Sequence, residues 1–230
     1  MVKIGVLSDT HVRDRVRRLH PQVERIFTEA NVDMIWHAGD VCDTVVLDDL
    51  RKIAPVTVVQ GNADVMMGNH FPLMVVRKIE NIKIAMTHGQ GKFSHYLRDR
   101  ITSTISGAYP FRYFEEQVVR MLPADADILV FGHIHTPVNR YKNHQLLFNP
   151  GSTSIPVHRD QNSSIGILTI DNQDVRREII PMQKIGFQEL TWSMKNLVRI
   201  NHFLGRAMPG LYENSVKKNF DEAFDDAIES

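Results

Sequence analysis

Five short runs of β-forming residues, at positions 3–7, 34–37, 56–59, 82–86 and 128–131, each break off abruptly into a polar segment, and this repetition restricts the chain to a layered sheet architecture. Residues with helical spacing lie between the first three runs. Val16, Leu19, Val23, Ile26 and Phe27 predict a helix over 15–29, and Val46, Leu47, Leu50 and Ile53 predict another over 44–53. Strands alternating with helices argue for an α/β fold. Residues 74–79 and 82–86 flank a Glu80-Asn81 corner and read as a hairpin. Residues 145–148, 164–170 and 175–180 read as later strands with a turn at Asp171-Asn172. This mixed order predicts two facing sheets with helices outside.

Two segments stand apart from that plan. Residues 93–121 form a mostly helical insertion, interrupted by Ser106-Gly107-Ala108-Tyr109-Pro110, and carry Tyr96, Tyr109, Phe111, Tyr113 and Phe114. From 183 to 230 the pattern is helical, with one apolar stripe through Leu190, Met194, Leu197, Val198 and Leu204 and a second through Val216, Phe220, Phe224 and Ile228. The division expected is a main domain over 1–182 and a C-terminal helical extension over 183–230. No apolar run approaches the 18 or so residues a spanning helix needs, and no membrane role is expected. With 27 Lys and Arg against 27 Asp and Glu there is no net field to hold a polyanion, so nucleic acid is not an expected partner. The single Cys42 cannot form an internal disulfide, which suits a reducing cytoplasm.

The chemistry lies where the strands end. The first run passes into Ser8-Asp9-Thr10-His11, the second into His37-Ala38-Gly39-Asp40 and the third into Gln60-Gly61-Asn62. The fourth passes into Thr87-His88-Gly89 and the fifth into Gly132-His133-Ile134-His135. In α/β sheets the loops at the carboxyl ends of strands form the ligand crevice, so five such ends would meet at one locus. Asp9 and His11 are two residues apart, as are His133 and His135, a spacing at which an extended segment presents both side chains on one side. Glycine beside Asp40, Asn62, His88 and His133 permits close backbone approach. Asp9, His11, Asp40, Asn62, His88, His133 and His135 exceed the four ligands zinc usually takes, and suit two metals sharing a bridging carboxylate. With one Cys against 11 His, the site would be imidazole-rich rather than thiolate-rich.

The ordered series DxH, GD, GN, HG and GHxH resembles the calcineurin-like metallophosphoesterase superfamily. Asn149-Pro150-Gly151-Ser152 is similar to the segment that closes the site in its small prokaryotic phosphodiesterase branch. The resemblance covers roughly residues 1–180. It implies a four-layer αββα sandwich and a binuclear centre of two divalent ions, Mn first, with Fe, Ni or Zn as alternatives. On this resemblance Asp9, His11 and His135 would hold one ion, Asn62, His88 and His133 the other, and Asp40 would bridge them. The implied activity is hydrolysis of a small organic or nucleotide-like phosphate ester by in-line attack of a metal-bridging hydroxide, with Asp40, Asn62 and His88 serving that hydroxide and the phosphate. A protein phosphatase or other phosphomonoesterase is the rival enzyme, disfavoured because Val-Cys-Asp-Thr follows Asp40 where those enzymes have an Arg-containing extension. A non-catalytic scaffold also exists in the superfamily, in a retromer subunit, but a scaffold has no chemical need for all seven ligands.

Two positions depart from the pattern. The residue after Gly61-Asn62 is Ala63, where many superfamily phosphatases place the His that protonates the leaving group, and Gln90 stands where His often follows HG. Alanine has no proton to give, so diesters or esters with acidic leaving groups are expected substrates unless His70, His95 or another loop residue supplies an acid. Arg13, Arg15, Arg17 and Arg18 read mainly as a solvated helix face, with Arg13, and more weakly Arg159, as candidate phosphate ligands through the guanidinium fork. The insertion aromatics read first as packing and second as a lid that stacks a base. The insertion and the C-terminal helices are the surfaces through which two copies could associate. His37 reads equally as a packed residue behind the site or as a catalytic one, and Cys42 reads as a small buried filler near Asp40.

Overall fold

The computed structural model describes residues 1–91, 111–156 and 162–195. Among the described residues ten strands form two five-stranded sheets. The first contains β1 (Val2–Leu7), β2 (Met34–His37), β3 (Val56–Val58), β9 (Ser164–Asp171) and β10 (Asp174–Pro181), in the order β10-β9-β1-β2-β3. The second contains β4 (Met74–Ile79), β5 (Ile82–Thr87), β6 (Ile128–Val130), β7 (Val138–Lys142) and β8 (Gln145–Asn149), in the order β4-β5-β6-β8-β7. The two are built alike. Three parallel strands form one side or centre, β1-β2-β3 in one sheet and β5-β6-β8 in the other, and antiparallel strands complete each.

Strand alternation sorts the side chains into layers. Ile4, Val6, Trp36, Ile84, Met86, Ile128, Val130, Leu146, Phe148, Leu168 and Ile170 fill the space between the sheets. Their neighbours point outward. Leu7, Ile35 and Ile165 meet Val23 and Phe27 of α1 (Gln22–Ala30) and Val46, Leu47 and Leu50 of α2 (Val45–Arg51). On the other side Ala85, Leu129 and Leu147 meet Phe114, Val118 and Leu122, contributed by and just beyond α4 (Phe111–Met121). The result is the expected αββα sandwich of two mixed sheets. A short α3 (Asn62–Met66) follows β3.

Several boundaries differ from the sequence reading. The helix predicted from residue 15 begins at Gln22, after Pro21, because the residue before a proline is pushed out of the α region and proline suits a helix start. Val16 is nonetheless buried: it forms isolated bridges with Val12 and Leu190, so its apolar character serves a loop packed on the core. Leu190 follows a 3₁₀ turn at Phe187–Glu189, and with Met182 it lies in the core outside the first sheet. β7 escapes prediction because Val-Asn-Arg-Tyr-Lys is a polar edge strand, its outer side free of any partner strand among the described residues. Of the insertion, Tyr96, Tyr109 and the 106–110 interruption lie outside the described residues, as do the stripes beyond residue 195.

Candidate metal centre

Six parallel-strand ends bring their loops to one place. From β1 come Asp9 and His11, from β2 Asp40, and from β3 Asn62; from the second sheet come His88 after β5 and His133 and His135 after β6, while the loop after β8 backs them. The short spacing does not work through extended backbone. Asp9, His11, Asp40, His133 and His135 all have left-handed φ, between 46° and 71°, a region costly for residues with a Cβ. Each pair is aimed by consecutive tight bends instead of by a strand pleat.

The carboxylates are held by one oxygen and presented by the other. Asp9 Oδ2 accepts the Ser8 hydroxyl at 2.6 Å and the His133 N–H at 3.1 Å. Among the described residues its Oδ1 has no hydrogen-bond partner although fully buried, and it faces His135 Nε2 at 3.3 Å and the Nε2 atoms of His11 and His88 at 3.9 Å. Asp40 Oδ1 accepts the Ala63 N–H at 2.7 Å, leaving Oδ2 at 3.5 Å from His11 Nε2 and 3.4 Å from His88 Nε2.

The histidines are oriented from behind. The Nδ1–H of His11 donates to Asp14 at 2.9 Å, that of His88 to the Ala38 carbonyl at 2.7 Å and that of His135 to the Ile155 carbonyl at 2.6 Å. An acceptor at Nδ1 fixes the proton there and turns the Nε2 lone pair toward the crevice, the arrangement metal-ligating histidines use. His133 presents the other nitrogen, Nδ1, 3.0 Å from Asn62 Oδ1, with its ring stacked on Phe114 of α4 at 5.4 Å. Two groups of potential ligand atoms result, Asp9-His11-His135 and Asp9-Asp40-His88, each within 4.8 Å. Asp9 Oδ1 and His88 Nε2, buried and without a hydrogen-bond partner among the described residues, fit a cation between them.

Several supporting residues carry no obvious mark in the sequence. Asp64 is fully buried and accepts the N–H groups of Asp40 at 3.0 Å, Cys42 at 2.8 Å and Gly61 at 2.9 Å, which clamps the β2 loop to the β3 loop. An acid three residues after a helix-capping glycine is the available signal. Asp14 looks in sequence like one more surface acid. Ser152 and Ser154 both donate to the Asp9 carbonyl, and Asn149 Nδ2 to the Gly132 carbonyl, so the Asn-Pro-Gly-Ser segment braces the ligand loops of both sheets.

Other candidates fall elsewhere. Arg13 is 76% exposed and ion-paired to Asp43 at 2.5 Å, and Arg159 and His95 lie outside the described residues. His70 is exposed. Gln90 donates to the Gln60 carbonyl at 3.4 Å, tying two loops together. His37 accepts the Gly39 N–H and bonds Thr10 Oγ1, and burial pushes its pKa down to about 3, which marks it as a neutral packed residue.

Burial opposes the charge on Asp9 and Asp40. His135 and His88 beside Asp9, and His88, His11 and the Ala63 N–H beside Asp40, overcome it and hold both carboxyls below the ordinary range. Burial likewise works against a charged His88, but Asp40, Asp9 and the Ala38 carbonyl outweigh it and raise its pKa to about 9. Without a cation, a proton therefore sits on His88 at neutral pH. Metal binding must displace it, so affinity falls as pH drops below that pKa. Divalent-metal affinity should weaken about tenfold per pH unit between roughly pH 8 and pH 6, with about one proton released per binding event. Calorimetric titration in buffers of differing ionisation enthalpy measures both; a flat affinity across that range would contradict the assignment.

Comparisons with known proteins agree with this geometry. The calcineurin-like phosphoesterase superfamily domain matches residues 2–173. A protein of Methanothermobacter thermautotrophicus named "Probable metallophosphoesterase" is 33% identical over 177 residues, 77% of this chain and 91% of its own. Another probable metallophosphoesterase, from Methanocaldococcus jannaschii, is 34% identical over 181 residues, 79% of this chain and 82% of its own. Among solved structures, a single mutant of Vps29 from Entamoeba histolytica superposes with a TM-score of 0.59 at 23% identity, covering 79% of this chain and 100% of that one, a likeness of fold. Among the described residues no helix is long and apolar enough to cross a membrane.

Proposed function

We propose a function from the premise that this chain belongs to the calcineurin-like phosphoesterase superfamily: it is a phosphodiesterase that hydrolyses a small organic or nucleotide-like phosphate with two divalent ions, Mn foremost. The observation that carries this reading is the set of three Nε2 atoms, from His11, His88 and His135, turned by their Nδ1 partners onto the free oxygens of Asp9 and Asp40. Such a donor set has no use in a folded core. Ion-pairing buried carboxylates with histidines is an expensive way to stabilise a sandwich, and replacing them by apolar groups would serve packing better.

His11 and His135 with Asp9 would hold one ion, and Asn62, His88 and His133 the other, with Asp40 between them. Two bound divalent ions supply a nucleophile at neutral pH by lowering the pKa of water, and neutralise charge on the phosphoryl oxygens. The protein's own share is positioning. Asp64 fixes the Asp40 loop through three N–H groups, and Ser152 and Ser154 fix Asp9 through its carbonyl, so the ligands need not reorganise during reaction.

Ala63 decides the substrate class in this reading. Its side chain has no proton for a leaving alkoxide, so rate depends on how well the leaving group bears negative charge. Turnover should be faster on an aryl phosphodiester than on an alkyl phosphomonoester, in paired assays at equal Mn. Installing an acid by Ala63→His should raise the monoester rate selectively, by about tenfold or more. A wild-type preference for the alkyl monoester would sink the diester assignment. The working division keeps 1–182 as the catalytic domain and 183–230 as an appended helical segment. The setting proposed is the cytoplasm, with self-association through the insertion or C-terminal segment.

A further inference from the structure

We infer that His11, Asp14 and Cys42 form a further cation site, behind the proposed centre, for a thiophilic divalent metal such as cadmium or zinc. His11 faces two ways. Its Nε2 looks into the crevice, while Nδ1 lies 2.9 Å from Asp14 Oδ2 and 3.6 Å from Cys42 Sγ, and these three donor atoms all fall within 4.8 Å of one another. A tetrahedral ion with bonds of about 2.0–2.1 Å to nitrogen and oxygen and about 2.3 Å to sulfur needs donors roughly 3.3–3.6 Å apart. The His11 Nδ1 to Cys42 Sγ distance of 3.6 Å already fits that window, and the 2.9 Å hydrogen bond from Nδ1 to Asp14 Oδ2 opens by roughly 0.4 Å through a turn of the half-exposed Asp14 side chain.

The site has its own route to solvent and its own chemical preference. His11 and Cys42 are buried, whereas the Asp14 side chain is 36% exposed and forms the approach, with Arg15 Nε 3.6 Å from its carboxylate as the competing cation. Three protein donors leave the fourth position to water. The proposed centre offers only nitrogen and oxygen, which suits Mn; the sulfur of Cys42 adds a preference for softer ions that Mn does not share. Binding here replaces two protons, the His11 Nδ1–H that Asp14 now accepts and the Cys42 thiol proton, both released to solvent. His11 is then shared as an imidazolate between the two sides. Occupancy removes the hydrogen bond that aims His11 and so inhibits the Mn-loaded protein.

The test uses the full chain loaded with Mn and titrated with cadmium chloride, read by the ultraviolet thiolate-to-cadmium charge-transfer band. Cys42 is the only cysteine in the chain, so the band reports this site alone. The expected result is a band that saturates at one equivalent per chain, absent in Cys42→Ser, and at least about tenfold weaker in apparent affinity in Asp14→Asn, which keeps the thiol. Loss of hydrolysis should track the band in wild type, while Cys42→Ser keeps its Mn-dependent rate at the same cadmium. No band in wild type, or a band indifferent to Asp14→Asn, overturns the inference. Equal inhibition of wild type and Cys42→Ser without a band also overturns it, placing cadmium in the proposed centre, and leaves the phosphodiesterase reading intact. Should Cys42→Ser fail to fold, Asp14→Asn and Cys42→Ala carry the same comparison.

Discussion

Asp40→Asn is expected to lower hydrolysis by about a thousandfold or more while leaving the metal-free fold in place, which corresponds to a loss of about 4 kcal/mol of transition-state stabilisation. The asymmetry follows from how the two oxygens are used. Oδ1 accepts the Ala63 N–H, a bond an amide oxygen also makes, so the loop keeps its anchor. At the other position a neutral amide replaces the oxygen that lies between His11 and His88 at 3.5 and 3.4 Å. The amide can donate to an imidazole but cannot bridge two cations. The charge that raises the His88 pKa also goes, so the variant should bind Mn weakly and with less than full stoichiometry. Hydrolysis assays paired with elemental analysis check both parts. Retention of more than about a tenth of wild-type rate would remove Asp40 from the bridging position.

Gly61→Ala should have the largest effect of any substitution that leaves every proposed ligand in place. A Cβ there would stand 2.1 Å from Asp40 Oδ1 and 2.3 Å from Asp40 N, contacts that no side-chain rotation relieves because one partner is backbone. Gly61 has φ −94° and ψ 173°, which alanine adopts freely, so the penalty comes from the contact alone. Displacing this segment disturbs the Gly61 and Asp40 N–H bonds to Asp64 and the Ala63 N–H bond to Asp40 together. Overpacking of this kind costs about 1–3 kcal/mol, or a fall in Tm of roughly 2–12 °C for a chain of this size. Mn affinity should drop about tenfold or more, since a shift of a few tenths of an ångström already spoils ligand geometry. Gly68 is the matched control: φ is +78° and a Cβ would meet none of the described residues within 4 Å, so Gly68→Ala should cost about 1 kcal/mol and leave Mn binding unchanged. Equal loss of Mn affinity in the two variants would show that the effect is general destabilisation rather than pressure on Asp40.

The layers and the location of the site are legible in the sequence because strand ends carry their own signature. Alternation in Lys3 to Leu7 or Ile82 to Met86 names the face each residue takes, and polar residues with glycine at the ends announce the loops. Positions 15–21 mislead because Val16 and Leu19 happen to continue the spacing of Val23 and Phe27, while Pro21 sets the true helix start. Periodicity cannot tell a buried loop residue from a helical one. Asp14 and Asp64 are not legible as supports for a different reason. Asp64 carries the local sign of a capping acid three residues after Gly61, but its bonds to the Asp40 and Cys42 N–H groups, like the Asp14 bond to the His11 ring, depend on atoms arriving from another loop or turn, and a carboxylate gives no sign of those. The convergence of Asp9, His11, His133 and His135 can be read in advance while its means cannot, since left-handed bends leave no imprint on residues such as Asp and His that tolerate several turn conformations.

Both proposed ion positions draw donors from both sheets, Asp9 and His11 with His135 in one case, and Asn62 and Asp40 with His88 and His133 in the other. The hydrogen bond from the His133 N–H to the Asp9 carboxylate spans 124 residues of sequence. The centre is therefore a gauge of sheet registry. Metal–ligand bonds tolerate only about 0.2 Å of error, whereas the apolar contacts between the sheets weaken gradually over larger displacements. A change deep in the sandwich, at Trp36 or Phe148, that slides one sheet on the other would be felt at the ions before it was felt by the fold. Residues far from any substrate thus set how sharply the chain can hold metal, and drift in the core would surface first as lost chemistry in a protein that still melts cooperatively.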